Sequence, residues 1–246
     1  MLRRTTMALQ INELTGGYTN YPIIQDISFD VKSGETVGLI GLNGAGKSTT
    51  LKHVMGLLEP FSGKIYVDDL TVQNEPQAYR QNIAYVPEAP ALYEELTLRE
   101  HIEITAISYN LVNTQYEKLA DELLRVFRLE DRLDWFPSNF SKGMQQKVMI
   151  VCAFLANPSL YVIDEPFIGL DPIAIRDLLI LLDEKKADGA SILMSTHVLS
   201  TAEQYCDRFV ILHEGKMKAQ GTMDELRENF GLVDASLEEI YIMATE

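Results

Sequence analysis

Apolar runs separated by stretches of helical spacing define the organisation of this chain. The clearest predicted strands are residues 35–41, 160–164, 191–197 and 209–213. Each run is apolar almost throughout, which is typical of parallel strands covered on both faces. Because helical stretches lie between them, the pattern predicts an α/β fold built on a mainly parallel sheet.

Two other regions have different patterns. Residues 7–32 and 63–69 alternate between apolar and polar positions, which predicts an antiparallel β layer beside the main sheet. From residue 96 the spacing becomes helical, with Leu119, Leu123, Val126 and Phe127 at helix spacing, and a further helix follows Ser141. The prediction is a single domain of 246 residues. Its parts are an α/β core (1–95 and 157–221), an inserted helical subdomain (96–156) and a C-terminal helical tail (222–246).

Two capping boxes mark helices in this tail. Thr222 with Glu225 opens the first, which Gly231 is expected to end, and Ser236 with Glu239 opens the second. These signals concern helix formation and carry no chemistry.

Composition and charge restrict the possible functions. The formal net charge is −15, which disfavours broad binding to nucleic acid. The longest apolar run, 148–156, is shorter than the roughly 20 residues of a membrane span. The basic start, 1–10, lacks the apolar segment of a secretory signal. Cys152 and Cys206 have no metal-ligand spacing and are expected to be free thiols, so the chain is predicted to lie in the cytosol.

A glycine-rich loop follows the first predicted strand. GLNGAGKST fits G-x-x-x-x-G-K-[ST], and it stands between a strand and a helix, as this motif requires. Glycines allow N–H groups to turn toward phosphate oxygens, and the helix start adds a partial positive charge. Lys47 is expected to pair with the β- and γ-phosphates and Ser48 to ligate Mg²⁺. The expected contacts of the nucleotide with this loop are Gly41, Leu42, Asn43, Gly44, Ala45, Gly46, Lys47, Ser48 and Thr49.

Two adjacent carboxylates end the predicted strand 160–164. Beside a phosphate loop, Asp164 is expected to ligate Mg²⁺ or to orient a water bound to it. Glu165 comes after the strand, so its side chain points elsewhere, where it could orient the attacking water or accept its proton. The pair therefore predicts hydrolysis of the nucleotide.

Over nearly its whole length the chain resembles the ATP-binding cassette (ABC) ATPases of membrane transporters. The phosphate loop, FSKGMQQKV, IDEP, GLDP and STH occur in that family's order. The resemblance implies a P-loop NTPase core, with an N-terminal antiparallel β subdomain and an inserted helical subdomain. It also implies ATP and Mg²⁺ as cofactors.

The resemblance also implies roles for residues outside the loop. Tyr18 matches the aromatic residue that stacks on adenine in this family. His197 matches the switch histidine, which hydrogen-bonds the γ-phosphate and holds the catalytic glutamate, here Glu165. Asp171 lies in the GLDP loop, which crosses to the partner subunit near its nucleotide.

FSKGMQQK corresponds to the family's signature, usually Leu-Ser-Gly-Gly-Gln. Ser141 and Gly143 agree with it, whereas Phe140, Lys142 and Met144 depart from it. Taken alone, Ser141 is typical of a helix N-cap. The resemblance implies that this helix start faces the γ-phosphate of ATP held by another subunit, which requires a head-to-tail homodimer.

Glu88 is a sharper departure, because the family usually has a glutamine here that contacts Mg²⁺ and links the nucleotide to the transmembrane partner. A carboxylate can also ligate Mg²⁺, although it repels the γ-phosphate. Glu88 is therefore a third candidate metal ligand, with Ser48 and Asp164.

The expected function is ATP binding and hydrolysis by a subunit of a membrane exporter. Its expected partner is an integral membrane permease, which would hold it at the inner face of the cell membrane. One alternative is a soluble ABC ATPase that acts on the ribosome or on nucleic acid. Another is a nucleotide-binding regulator without turnover, against which the Asp164–Glu165 pair argues.

Overall fold

The computed structural model describes residues 7–111 and 114–246. The prediction of no secretory signal concerns mainly residues 1–6, which lie outside the described residues. Within the described ranges, no helix combines the length and apolar character needed to cross a bilayer.

Strands and helices alternate along most of the chain. The strands are β1 (Met7–Gly16), β2 (Ile24–Lys32), β3 (Thr36–Ile40), β4 (Ser62–Val67), β5 (Ile83–Val86), β6 (Leu160–Asp164), β7 (Ser191–Thr196), β8 (Arg208–His213) and β9 (Lys216–Gly221). The helices are α1 (Lys47–Val54), α2 (Pro76–Gln81), α3 (Leu98–Ser108), α4 (Thr114–Phe127), α5 (Lys142–Ala156), α6 (Pro172–Ala187), α7 (Leu199–Tyr205), α8 (Met223–Phe230) and α9 (Leu237–Thr245). Short 3₁₀ turns span Glu130–Arg132 and Pro137–Asn139.

The predicted antiparallel layer is confirmed as a three-stranded sheet in the order β2-β1-β4. Its apolar residues pack against α1 and one face of the main sheet in one hydrophobic cluster. The strand predicted at 63–69 ends at Val67, because Asp68 and Asp69 have positive φ angles and turn the chain.

The main sheet has the strand order β5-β6-β7-β3-β8-β9. The first five strands are parallel and β9 runs antiparallel to β8 at the edge, which confirms the mostly parallel α/β prediction. Every residue of β3, β6 and β7 is buried, as expected for strands covered on both faces. Their carboxyl ends meet at one edge of the sheet, which brings residues 41, 164 and 197 toward the same region.

The helical segment α3–α5 lies between β5 and β6 in the chain. Leu123 and Phe127 of α4 are buried, whereas Val126 is partly exposed, so the apolar face of α4 is narrower than its sequence suggests. The segment shares one hydrophobic cluster with α6 and the strands β5–β7. That this segment forms a separate subdomain with the boundaries 96–156 stays a prediction.

The two predicted capping boxes are confirmed at α8 and α9, and Gly231 ends α8 in a left-handed conformation. The buried face of α9 packs near the end of β3. Its Tyr241 hydroxyl accepts a hydrogen bond from the Leu42 N–H group at 3.3 Å. Cys152 and Cys206 are free thiols, and burial raises their pKa values to about 11 and about 12.

Candidate nucleotide site

The phosphate loop joins the carboxyl end of β3 to the start of α1. Gly46 begins the helix with φ 106°, a conformation that favours glycine, and a Cβ atom there would lie 2.7 Å from Ile24 Cγ2. Within the described residues no side chain caps α1, so the N–H groups of its first turn can donate to a phosphate. The local geometry is that of an anion site.

Lys47 is the first residue of α1, and its side chain is buried. Its ammonium group donates a hydrogen bond to the Gly41 carbonyl oxygen at 2.7 Å. The same nitrogen lies 3.6 Å from Glu165 Oε1. Lys47 therefore lies between the loop and the second of the two carboxylates.

The adjacent carboxylates have different partners because the backbone changes conformation between them. Asp164 is the last residue of β6, whereas Glu165 has φ 48°, in the left-handed region. The Asp164 carboxylate accepts a hydrogen bond from the Ser195 hydroxyl. Glu165 Oε1 lies 2.8 Å from His197 Nδ1, which donates to it. Both carboxylates are more than nine-tenths buried.

A cavity of about 520 Å³ is lined by Lys47, Glu165 and His197, whereas the predicted site residues Gly41 and Asp164 do not line it. The predicted residues that line it are Leu42, Asn43, Gly44, Ala45, Gly46, Lys47, Ser48, Thr49, Glu88, Glu165 and His197. Ile23 and Ile168 complete the lining, and no sequence motif pointed to Ile23. A loop, a base candidate and an imidazole thus face one space large enough for part of a nucleotide.

Glu88 reaches this cavity from the segment after β5. The preceding Pro87 carbonyl oxygen accepts a hydrogen bond from the Gln146 side-chain amide at 2.9 Å. Gln146 is buried in α5, so the Glu88 segment is fixed to the helical part of the chain. This contact was not predicted, because it joins residues 59 positions apart.

Tyr18 lies beside α1 rather than in the lining of the cavity. Its hydroxyl accepts a hydrogen bond from the Lys52 ammonium at 3.0 Å, and this contact lowers the pKa of Tyr18. The same ammonium lies 4.9 Å from the centre of the ring. About half of the side chain is exposed, so ring surface is available for stacking.

Ser141 and Asp171 each start a helix. Ser141 caps α5, where its hydroxyl accepts from Met144 N–H at 3.3 Å, and Asp171 caps α6, where its carboxylate accepts from Ala174 N–H at 2.9 Å. The Lys147 ammonium donates to the other Asp171 oxygen at 2.8 Å. These bonds, Lys147 first, lower the pKa of Asp171 to about 2.

Glycine is required where these two helix starts meet. A Cβ atom on Gly143 would lie 2.5 Å from the Gly169 carbonyl oxygen. Neither helix start lines the cavity formed by the described residues. The structure therefore brings the loop, Glu88, Glu165 and His197 together and leaves Ser141, Gly143 and Asp171 on a separate face.

The oxygen donors of the site fit Mg²⁺. Among residues 7–111 and 114–246 no three His, Cys, Asp or Glu side chains are grouped to hold a metal ion by themselves. Mg²⁺ is usually held by one or two carboxylates together with substrate phosphates. Asp164, Ser48 and Glu88, beside a phosphate loop, are oxygen donors of the kinds that Mg²⁺ takes as ligands. Zinc, which takes three or four protein ligands, is a poorer match.

A second cavity of about 510 Å³ lies under the antiparallel layer. It is lined by parts of β4 and by residues 71–74, and His53 and Tyr79 border it. It contains no glycine-rich loop and no paired carboxylates, so it lacks the groups that phosphate chemistry needs.

A glycine-rich loop between a buried strand and a helix, with two carboxylates at the end of another parallel strand of the same sheet, defines a P-loop nucleotide-binding protein. A family model described as ABC transporter matches residues 24–168. The ABC-type transporter ATP-binding protein EcsA of Bacillus subtilis (strain 168) is 55% identical over 238 residues, which cover 97% of this chain and 96% of that protein. The chain therefore belongs to the ABC transporter family, as an ATP-binding subunit that hydrolyses ATP.

Solved structures agree with this assignment. One, described as the structure of the ATP binding subunit of an ABC transporter, has a TM-score of 0.95 and 56% identity and covers 97% of this chain and 100% of that one. Another is a dimeric post-hydrolysis state of the ATP-binding cassette MJ0796 bound to ADP and Pi, with a TM-score of 0.79, 26% identity and coverage of 87% and 98%. Within the family, GLNGAGKSTT, FSKGMQQKVMI and VPEAPALYEELT look most like an Ecs-type ATPase, and the similarity to EcsA confirms that resemblance.

Proposed function

We propose that two copies of this chain close head to tail around two ATP molecules and drive an integral membrane permease that exports its cargo. The observation that carries the proposal is the position of Glu165, whose carboxylate meets both the Lys47 ammonium and the His197 imidazole at the edge of the loop cavity. This arrangement supports a role for Glu165 as the base beside the proposed position of the γ-phosphate.

The phosphate loop would hold the triphosphate. N–H groups of residues 43, 44 and 46–49, the last three in the first turn of α1, would donate to its oxygens. Lys47 would exchange its bond to the Gly41 carbonyl for the β- and γ-phosphates. Ser48, Asp164 and Glu88 would hold Mg²⁺, which supplies charge neutralisation for the phosphates. Tyr18 would stack on the adenine with its exposed ring surface.

Glu165 would act on the attacking water. Its Oε1 atom is held by His197, so the carboxylate is oriented before substrate arrives, and it can accept the proton as the water attacks. With Nδ1 bound to Glu165, His197 presents Nε2 to the γ-phosphate and donates to it when the ring carries both protons. The leaving ADP remains on the loop.

The second copy would complete the site. Ser141 and Gly143 begin α5, and Asp171 begins α6, so both helix starts can meet the nucleotide of a partner. The dimeric structure of the cassette MJ0796, bound to ADP and Pi, supports this arrangement. Loss of the γ-phosphate would remove the contact that bridges the two copies and allow them to separate.

The membrane partner would be contacted through the Glu88 segment and the helical part of the chain. The Gln146–Pro87 hydrogen bond joins these two elements, so a change at the nucleotide can move both together. Export is proposed because the signature variant resembles those of exporter-type ATPases. The chain would then lie on the inner face of the cell membrane, held there by the permease.

Action on the ribosome or on nucleic acid is the alternative within this family. It is disfavoured by the net charge of −15, which repels phosphate backbones. Native purification separates the two functions, because the proposal predicts a polytopic membrane protein in the complex and the alternative predicts ribosomes or nucleic acid.

Glu165→Gln tests the proposed role of the carboxylate. The substitution keeps the shape and can still accept from His197, but it removes the base. We expect turnover to fall by about 100-fold or more, and ATP-loaded dimers to persist in gel filtration. Near-normal phosphate release by this variant would show that Glu165 is not the base.

A further inference from the structure

Ser195 is a buried hydroxyl at the point where β6 and β7 end. It has no exposed surface, and it pairs with Asp164 in the parallel register of the two strands. A polar side chain in a fully buried strand needs hydrogen-bond partners. Ser195 finds them on both carboxylate-bearing residues.

Three contacts join Ser195 to this pair. Its hydroxyl donates to Asp164 Oδ1. The Glu165 N–H group donates to the Ser195 carbonyl oxygen at 3.1 Å and also approaches its hydroxyl oxygen at 3.3 Å. One serine therefore contacts the side chain of the first residue and the backbone of the second.

Each contact restricts one carboxylate. A hydrogen bond to Oδ1 fixes the rotation of the buried Asp164 carboxylate and leaves Oδ2 as its other acceptor. The bonds to the Glu165 N–H group hold a backbone with φ 48°, which a residue other than glycine adopts rarely. That backbone conformation directs the Glu165 side chain away from the line of β6 and toward His197.

We propose that Ser195 is a positioning residue that orients Asp164 for Mg²⁺ and Glu165 for the attacking water. The inference rests on the proposed roles of those two carboxylates. Ser195 touches neither substrate nor metal in this account and acts only through its neighbours. Partners of metal ligands typically contribute about 10- to 100-fold to metal affinity or activity.

The same strand contains a matched control. Ser191 is also fully buried in β7, and its hydroxyl donates to the Lys32 carbonyl oxygen at 3.0 Å. Ser191 lies at the opposite end of β7 from Ser195 and pairs with Leu160 instead of Asp164. Ser191→Ala and Ser195→Ala therefore each remove one buried, hydrogen-bonded hydroxyl, but only the second removes it from the site.

The test compares Ser195→Ala, Ser191→Ala and Ser195→Thr in three measurements. These are phosphate release, the affinity for a fluorescent ATP analogue with Mg²⁺ and with EDTA, and the thermal midpoint. For Ser195→Ala we expect turnover to fall by about tenfold or more. The ratio of the affinity with Mg²⁺ to the affinity with EDTA should fall by a similar factor. The affinity of Ser195→Ala in EDTA should stay at the wild-type value. Ser191→Ala should keep wild-type turnover while its thermal midpoint shifts by a similar amount. Ser195→Thr should recover most of the turnover that Ser195→Ala loses.

The proposal is overturned if Ser195→Ala and Ser191→Ala behave alike, or if Ser195→Ala weakens binding equally with Mg²⁺ and with EDTA. Should Ser195→Ala fail to fold, Ser195→Cys replaces it, because a thiol is a weak donor of similar size. The same two results would overturn the proposal there. Glu165→Gln, assayed in parallel, separates the two levels: if it retains turnover, the proposed function fails, and if it is inactive while Ser195→Ala is normal, only the positioning role fails.

Discussion

The loop face and the signature face of this molecule are built differently. On the loop face, Lys47 and Glu165 are buried and contact each other, and His197 contacts Glu165. On the signature face, Ser141 and Asp171 are exposed and cap the starts of α5 and α6. The candidate catalytic carboxylates are oriented by contacts within one chain, whereas in the proposed dimer the two helix starts would face the partner copy.

Contacts within the signature face connect its two helix starts. Gly143 allows α5 to approach the Gly169 carbonyl oxygen, and Lys147 pairs with Asp171. The two helix starts are therefore coupled to each other before any partner is present. A second copy would meet a preformed surface.

The largest effect is expected from a bulky charge on the signature face. Ser141→Arg should lower turnover by about 100-fold or more, because its bulk would keep the start of α5 from the position proposed for it at the γ-phosphate of the partner's ATP. ATP affinity of the monomer should stay within about twofold, since the loop face is untouched. Phosphate release and fluorescent-nucleotide titration measure the two quantities.

Ser236→Arg is the control for this change. Ser236 caps α9 through the same type of bond, to the Glu239 N–H group, so both variants lose an N-cap that contributes about 1 kcal/mol. Only Ser141→Arg should lose turnover. Equal activities of the two variants would mean that Ser141 is a helix cap and nothing more.

A smaller effect, dependent on pH, is expected at the Lys147–Asp171 pair. Lys147, as the largest cause, and the Ala174 N–H group lower the pKa of Asp171 from 3.8 to about 2. These contacts therefore stabilise the fold above pH 3.8, and their contribution is lost as pH falls toward 2. The free energy of unfolding of wild type should exceed that of Lys147→Met by less than about 1 kcal/mol, because half of the Asp171 side chain is exposed. The difference should be constant above about pH 5 and should shrink below it.

Lys185→Met is the control for the pH dependence. Lys185 lies on α6 and donates to the Asn157 side-chain amide oxygen at 2.7 Å, which does not titrate. Its difference from wild type should not change across the acid range. Denaturant unfolding at a series of pH values measures both differences, and parallel curves for the two variants would contradict the ion pair.

The sequence predicted the elements whose stabilising interactions join residues close together in the chain. The strand–loop–helix around Lys47, the caps at Thr222 and Ser236, and the turn of the chain after Asp164 all follow from residues that are close in sequence. The contact of His197 with Glu165 came from family resemblance, because no spacing rule joins residues 32 positions apart.

The contacts that sequence missed depend on strand register and helix packing. Ser195 stands in an apolar strand as an unexplained polar residue, and only the pairing of β6 with β7 shows that it faces Asp164. Lys147 and Gln146 likewise have no local signal, since their partners lie on α6 and after β5. A buried polar residue within a predicted strand is the signal that would have identified Ser195.

Mixed dimers test the central claim that each ATP is held by two copies. The Lys47→Ala and Ser141→Arg variants, each in the Glu165→Gln background, would be expressed with different affinity tags. The heterodimer would then be isolated by purification on both tags. The measurement is the amount of ATP retained per dimer. We predict about one ATP in the heterodimer, which has one complete site, and close to none in either parent. A shared site would be contradicted if the Ser141→Arg parent retained as much ATP as the Glu165→Gln protein and the heterodimer retained no more than that parent.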